Sequence, residues 1–241
     1  INYTGSKSSA LKLEFNKDLA KQKIQKNKIN TAPFFIAKPG QYKSSKDLPV
    51  PFPLFIKPMY EGNGKGIARD SIVTDFEGFE KKVASIFKEF KSPSLVEKYL
   101  NGGEFTVGVF DVTSNSDKTA MSVKLITTAD KFGNKILSFE TKESDRVNLV
   151  PIKDKKEHRR VSEFAKKAFK SLGARDYGRI DIKMDENGKL YFLEANLLPG
   201  LNPNGSYFVK TCKINKQMNY EEIILKIVRN ALKRKPQKPT L

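Results

Sequence analysis

The 241-residue sequence has one cysteine (Cys212), one histidine (His158) and no tryptophan. A lone thiol closes no internal disulfide and builds no cysteine-based zinc site by itself. His158 sits in the polar run Asp154–Arg160 and reads as a solvated helix residue, so catalysis through a Cys–His or Ser–His pair is not expected. Long apolar runs are missing too. The longest, such as Phe52–Ile56, are strand-sized, far below the roughly 20 residues of a membrane span. Nothing after Ile1 resembles a signal peptide, and a reducing cytoplasm is the expected compartment. Because the first residue is not methionine, the chain is expected to be a fragment, a processed chain or part of a longer one. Acidic residues are in deficit, 27 against 45 basic, for a net charge of +18. Only eight of the basic residues are arginine and the lysines are dispersed, which describes a solvated surface better than a nucleic-acid footprint. A positive field of this kind favours anionic ligands.

What is present points to mixed α+β structure with mostly antiparallel sheets. A helix is expected over about Asn16–Asn27 with Asn16 as N-cap, and another carrying Phe76, Phe79, Val83, Ile86, Phe87 and Phe90 at helical spacing. A third should run from Glu157 to Leu172 and stop at Gly173, and a last one over Tyr220–Lys233. Short strands are expected at Phe34–Ala37, Leu54–Lys57, Ser94–Glu97, Phe105–Val112 and Met121–Thr127. Residues 5–9 and 39–53 read as loops, and the tail after Arg234 as disordered. The stretch Glu97–Gly103 is a plausible hinge between two lobes.

The segment Arg179–Asn196 carries the most chemistry. Its Asn187-Gly188 pair favours a two-residue turn, which would set Arg179 opposite Asn196 and Asp181 opposite Glu194. One face would then hold Ile180, Ile182, Met184, Tyr191, Leu193 and Ala195. The other would hold Arg179, Asp181, Lys183, Phe192, Glu194 and Asn196. Opposed carboxylates repel unless a hard cation lies between them, and Asp, Glu and Asn oxygens suit magnesium. An exposed polar face without a ligand is the alternative. Upstream, Glu61-Gly-Asn-Gly-Lys-Gly66 follows a strand ending at Lys57-Pro58. Glycines at Gly62, Gly64 and Gly66 would let backbone N–H groups around Asn63 converge on phosphate oxygens. The spacing is not that of a P-loop.

Gly178-Arg-Ile-Asp-Ile182 followed by Leu193-Glu-Ala-Asn-Leu-Leu-Pro-Gly200 resembles the C-terminal signature of D-alanine–D-alanine ligases of the ATP-grasp superfamily. Phe55-Ile-Lys-Pro58, Val96-Glu-Lys-Tyr-Leu100 and Gly103-Glu-Phe-Thr-Val107 resemble further family motifs in order and spacing, so the likeness covers nearly the whole chain. It implies an ATP-grasp fold of two α+β lobes and an ATP-dependent carboxylate–amine ligase working through an acyl phosphate. Implied metal ligands are Asp181, Glu194 and Asn196, holding two Mg2+ ions, with Mn2+ an alternative. Implied nucleotide contacts are Lys17, Lys57, the loop Glu61–Gly66, Glu97, Lys98, Tyr99 and Leu100 at adenine, Glu104 at ribose, and Lys142 from a mobile 133–145 loop. Arg179 and Lys142 would serve the reaction, and Arg179, Gly200, Gly205 and Ser206 the substrates. Lys183 is expected to be dispensable.

The resemblance divides the chain into a remnant at 1–16, a central lobe at 17–97, a C-terminal lobe at 98–235 and a tail at 236–241. It implies a missing N-terminal domain, small carboxylate and amine (amino-acid) substrates and no membrane partner, and it leaves a homodimer open. Peptidoglycan biosynthesis is the implied setting. Gly205 stands where the family carries a serine for the second substrate's carboxylate, with Ser206 beside it, so dipeptide specificity is in question. A degenerate module that binds nucleotide or a partner without ligation is the first alternative, and a basic nucleic-acid binder the second.

Overall fold

The computed structural model describes residues 3–62, 64–111, 118–127 and 147–234. Two antiparallel sheets organise it. The smaller has the order β1-β4-β2-β3, from β1 (Phe34–Ala37), β2 (Leu54–Pro58), β3 (Ile72–Val73) and β4 (Ser94–Lys98). The larger has the order β7-β6-β5-β8-β9, from β5 (Glu104–Asp111), β6 (Lys118–Thr127), β7 (Val147–Pro151), β8 (Tyr177–Met184) and β9 (Leu190–Asn196). Residues 99–103 pass from one sheet to the other, where the hinge was expected.

Helix α3 (Phe76–Phe90) covers the smaller sheet. Asp75 caps its N-terminus by accepting the Gly78 N–H at 2.8 Å. Phe79, Val83 and Ile86 pack on Leu54, Ile56 and Val96. Helix α4 (Lys155–Ser171) covers the larger sheet through Val161, Ala165, Ala168 and Phe169, and Gly173 ends it with φ +73°. On α4, His158 is not simply solvated: its Nε2 lies 3.2 Å from Asn215 Oδ1. Helix α6 (Tyr220–Leu232) packs Ile223 and Ile227 in a third cluster around Phe110 and Phe208. No helix among the described residues is long and apolar enough to cross a membrane.

Four strands and helices were not anticipated: α1 (Ser8–Phe15), β3, β7 and α5 (Tyr207–Lys216). Both helices are short, and among residues of α1 only Ala10 is buried, so periodicity had little to register. Helix α2 (Lys17–Lys26) forms as expected, with Asn16 accepting the Leu19 N–H at 3.1 Å. Its Ala20 and Ile24, like Ala10, join the core of the larger sheet. Residues 17–26 therefore pack with the second sheet although they precede the first in sequence.

The Arg179–Asn196 hairpin corrects the expected turn. Residues 186–188 form a three-residue loop, closed by Asp185 and Lys189, with Gly188 at φ +76°. Asp185 braces it, its side chain accepting the N–H groups of Asn187 and Lys189 at 3.0 and 2.8 Å. The longer loop pairs Ile182 with Phe192 and Lys183 with Tyr191, one residue off the expected register. A β-bulge at Leu193 then restores it, so Asp181 pairs with Glu194 and Arg179 with Asn196 after all. Phe192 consequently lies in the core, not on the polar face, and Leu193 turns toward the cleft.

Candidate functional site

A cleft open to solvent lies between the two sheets. One wall is β2, the glycine-rich loop and the end of β4: Lys57, Glu61, Gly62, Gly64, Glu97, Lys98, Tyr99 and Leu100. The other is Lys17 at the start of α2, Glu104 on β5, Asp181 and Lys183 on β8, and Leu193 and Glu194 on β9. Asn63 and Lys142, with the 133–145 loop, lie outside the described residues. Of the other expected site residues, Gly66, Arg179, Asn196, Gly200, Gly205 and Ser206 do not line the cleft.

At its base a buried carboxylate holds two buried lysines. Glu97 Oε1 is 2.5 Å from Lys21 Nζ, and Oε2 is 2.8 Å from Lys57 Nζ. Burial alone would raise the Glu97 pKa, but the two ammonium groups outweigh it and hold the carboxyl at about 2. Burial most strongly opposes the charge on Lys57, but Glu97, Glu194 and Glu104 together outweigh it, so that pKa is raised. The Lys21 pKa is lowered, because its burial is complete and the attraction of Glu97 compensates only in part. Lys21 was not picked out from the sequence. A lysine four residues after Lys17, on the same helix face, was the available signal.

Lys17 is buried with its ammonium donating to the carbonyls of Glu61 and Met59, which fastens the start of α2 to the base of the glycine-rich loop. In that loop Gly66 has φ +73°, and a Cβ there would run into Pro58 and Phe90. Lys98 lines the cleft yet spends its amide on Pro33 O at 2.9 Å and its ammonium on the carbonyls of Pro51 and Phe52. The Tyr99 N–H likewise donates to Pro53 O at 3.0 Å. Glu104 Oε2 pairs with Lys183 Nζ at 3.0 Å, and Lys183 is buried. Lys183, whose replacement was expected to have little effect, thus lines the cleft as the partner of Glu104.

On β8, the Arg179 fork donates to both oxygens of Asp181, at 3.0 and 2.9 Å. Thr106 Oγ1 donates to Asp181 Oδ1 at 2.6 Å, and Asn196 Nδ2 approaches Oδ2 at 3.3 Å. Burial most strongly disfavours the Arg179 charge, but Asp181 beside it, Glu194 and Tyr207 together raise its pKa. Its guanidinium lies 5.5 Å from the Tyr207 ring centroid. Asp181 and Glu194 thus face each other across adjacent strands, as the register required. No group of three or more His, Cys, Asp and Glu side chains among the described residues is arranged to hold a metal. Two carboxylates and a carboxamide do form an all-oxygen donor set, once Asn196 turns its Oδ1 inward. Such a set fits Mg2+ when phosphate oxygens and water complete the shell.

Glu14, on the unanticipated α1, was also missed. Its Oε2 accepts the Leu197 N–H at 3.0 Å, pinning the chain just after Asn196. Partial burial raises its pKa, against the backbone N–H groups of Leu197 and Leu198 and the charge of Arg179. The loop beyond is self-contained. Asn202 Oδ1 accepts the N–H groups of Asn204 and Gly205 at 2.9 and 3.0 Å, and Ser206 Oγ donates to Gly200 O.

Comparison with known proteins identifies the family and the fold. A family model for the D-Ala–D-Ala ligase C-terminus matches residues 23–229. The D-alanine–D-alanine ligase of Geotalea uraniireducens (strain Rf4) is 29% identical over 204 residues, covering 83% of this chain and 61% of that protein. The enzyme of the same name from Pelobacter propionicus is 29% identical over 234 residues, covering 96% of this chain and 71% of that protein. The chain thus spans 60–71% of the length of the first four such relatives. The crystal structure of D-alanine–D-alanine ligase from Bacillus anthracis complexed with ATP superposes with a TM-score of 0.74 at 21% identity, covering 96% of this chain and 70% of that one. That of the VanG D-Ala:D-Ser ligase from Enterococcus faecalis gives 0.75 at 18%, covering 95% and 64%. The two-sheet fold is accordingly the ATP-grasp fold, and the chain belongs to the D-alanine–D-alanine ligase C-terminal family.

Proposed function

We propose that this chain is the ATP- and Mg2+-binding part of a carboxylate–amine ligase that forms an amide or peptide bond through an acyl phosphate. One observation carries the reading: a single cleft is lined from one sheet by Lys57, the glycine-rich loop and the β4 hinge, and from the other by Glu104, Asp181 and Glu194. Nucleotide and metal chemistry therefore meet in one place. The adenine would sit against Tyr99 and Leu100 and the ribose at Glu104. Lys17 and Lys57 would neutralise phosphate oxygens, joined by Lys142. Asp181, Glu194 and Asn196 would hold Mg2+, one ion or two, which when bound supplies charge neutralisation on the phosphates. Mn2+ satisfies the same donors.

A substrate carboxylate takes the γ-phosphoryl group, and the amine of a second substrate then displaces phosphate from the acyl carbon. Arg179 beside Asp181 is placed to stabilise negative charge developing there. The lysines and Arg179 do this by position and charge, so no nucleophilic side chain is needed. The substrates are a small carboxylate and an amine such as an amino acid. The setting is cytoplasmic synthesis of a peptidoglycan precursor, with further chain N-terminal to these residues completing the first-substrate pocket. Calorimetric titration with ATP in Mg2+ and in EDTA, beside phosphate release over an amino-acid panel, tests the reading. Micromolar to millimolar ATP binding that strengthens with Mg2+ is expected. A folded sample that fails to bind Mg–ATP at millimolar concentration overturns it.

A further inference from the structure

The two halves of the cleft are joined by a chain of buried polar contacts. Lys57 Nζ meets Glu97 Oε2 at 2.8 Å, and Glu97 Oε1 meets Lys21 Nζ at 2.5 Å. Lys21 Nζ then donates to Thr31 Oγ1 at 2.7 Å, and Thr31 Oγ1 donates onward to Phe192 O at 2.9 Å. Phe192 is the last residue before the bulged Leu193, and Glu194 follows. The edge of β9 facing away from β8 is filled here by residues 30 and 31. Phe192 N–H donates to Asn30 O at 2.8 Å, and Thr31 makes an isolated parallel bridge to Phe192. The contacts begin at the lysine of the smaller sheet and end one residue short of the bulge that aims Glu194.

We propose that Lys21 and Thr31 are positioning residues that lock the metal-binding end of β9 to the nucleotide-binding end of β4. This rests on the Mg–ATP reading given above. A bulge has lost part of its ladder, so its orientation depends on what holds the free edge. Here that is a hydroxyl polarised by a buried ammonium, which is in turn fixed by the Glu97 carboxylate. Since Glu97 also holds Lys57, the place of Glu194 and the place of the phosphate-facing lysine are set by the same carboxylate. A purely structural contact would add stability without distinguishing metal-free from metal-bound nucleotide. A contact that aims Glu194 affects the metal-bound form selectively.

Thr31→Val separates the two. It keeps the side-chain shape and the Lys21–Glu97 pair but removes the hydroxyl, whereas Thr31→Ser keeps the hydroxyl. The probe is ATP, titrated calorimetrically in EDTA and across a Mg2+ series, with thermal unfolding measured alongside. Thr31→Val is expected to raise the Mg2+ concentration for half-maximal tightening about five- to tenfold, the size of one lost hydrogen bond. Affinity in EDTA should stay within about twofold, and Thr31→Ser should restore the Mg2+ response. An unchanged Mg2+ response in Thr31→Val, or an equal loss of affinity in EDTA and Mg2+, overturns the link while Mg–ATP binding by the unaltered chain leaves the functional reading standing. Absence of Mg2+-dependent ATP binding in the unaltered chain overturns both.

Discussion

Glu97→Gln isolates the charge at the base of the cleft while preserving shape. In the native chain this carboxylate is buried and meets Lys21 and Lys57 at 2.5 and 2.8 Å, and its oxygens have no other hydrogen-bond partner among the described residues. Its pKa falls from the ordinary 4.5 to about 2, a difference worth about 3 kcal/mol. That agrees with the roughly 3–5 kcal/mol lost when one member of a buried pair is removed. For a chain of this size, about 2–4 °C of Tm per kcal/mol puts the expected drop near pH 7 at about 6–12 °C. The sign with pH follows from the direction of the shift. A depressed carboxylate pKa contributes stability that is fully present above 4.5 and is lost as pH falls through about 2. Denaturant melts of both proteins from pH 7 down to pH 2 should therefore show a stability gap that closes toward the acid end, where the protonated Glu97 carboxyl and the substituted amide are alike in charge. A gap that does not depend on pH, or a Tm within 2 °C or so of the native value at pH 7, would refute the assignment of Glu97 as the ionised centre of the pair.

Other perturbations probe separate parts of the site. Glu194→Gln should weaken ATP binding in Mg2+ about tenfold or more while leaving binding in EDTA nearly intact, as loss of a metal ligand requires; calorimetry decides it. Lys183→Ala removes the partner of Glu104 and should raise the KM for ATP several-fold with kcat little changed, the pattern of lost uniform binding. Gly66→Ala forces a Cβ into Pro58 and Phe90 at φ +73° and should cost about 1–3 kcal/mol in thermal unfolding. Gly62→Ala, with open space around it, should stay within about 0.5 kcal/mol. On the proposed reading Gly205 takes the place of a carboxylate-binding serine, and the Ser206 hydroxyl beside it donates to Gly200 O, so D-alanyl-D-alanine should form poorly and another amine be preferred. Product analysis over a panel of amino acids reads this directly.

The amphipathic helices were legible because a buried stripe recurs at a fixed spacing. The first residues of the glycine-rich loop and the cross-sheet hinge were legible because glycine and alternating apolar runs carry local meaning. Elements held mainly by distant partners were not. Helix α1 shows no strong stripe, and what fixes it is partly Glu14 reaching Leu197, 183 residues away. Lys21 looks like any other lysine on a lysine-rich chain until Glu97 is brought beside it by strand pairing. The pairing of Lys183 was hidden for the same reason, since its partner Glu104 lies 79 residues back on the neighbouring strand.

In the hairpin, two departures from the expected geometry cancel. Asn187-Gly188 suggested a two-residue turn, and from that turn alone Asp181 meets Glu194. The actual loop is longer because the Asp185 side chain and backbone close it around a left-handed Gly188. Left uncorrected, the resulting one-residue offset would send Glu194 to the opposite face, away from Asp181. The bulge at Leu193 reverses the offset just before Glu194. It also lets Phe192 fill the core while Leu193 and Glu194 both line the cleft. A regular strand cannot present two successive side chains to one side. The bulge thus brings an apolar side chain and a carboxylate to the cleft at adjacent positions. Its stability then depends on what holds the free edge of β9, which is where Thr31 and the buried lysine behind it enter.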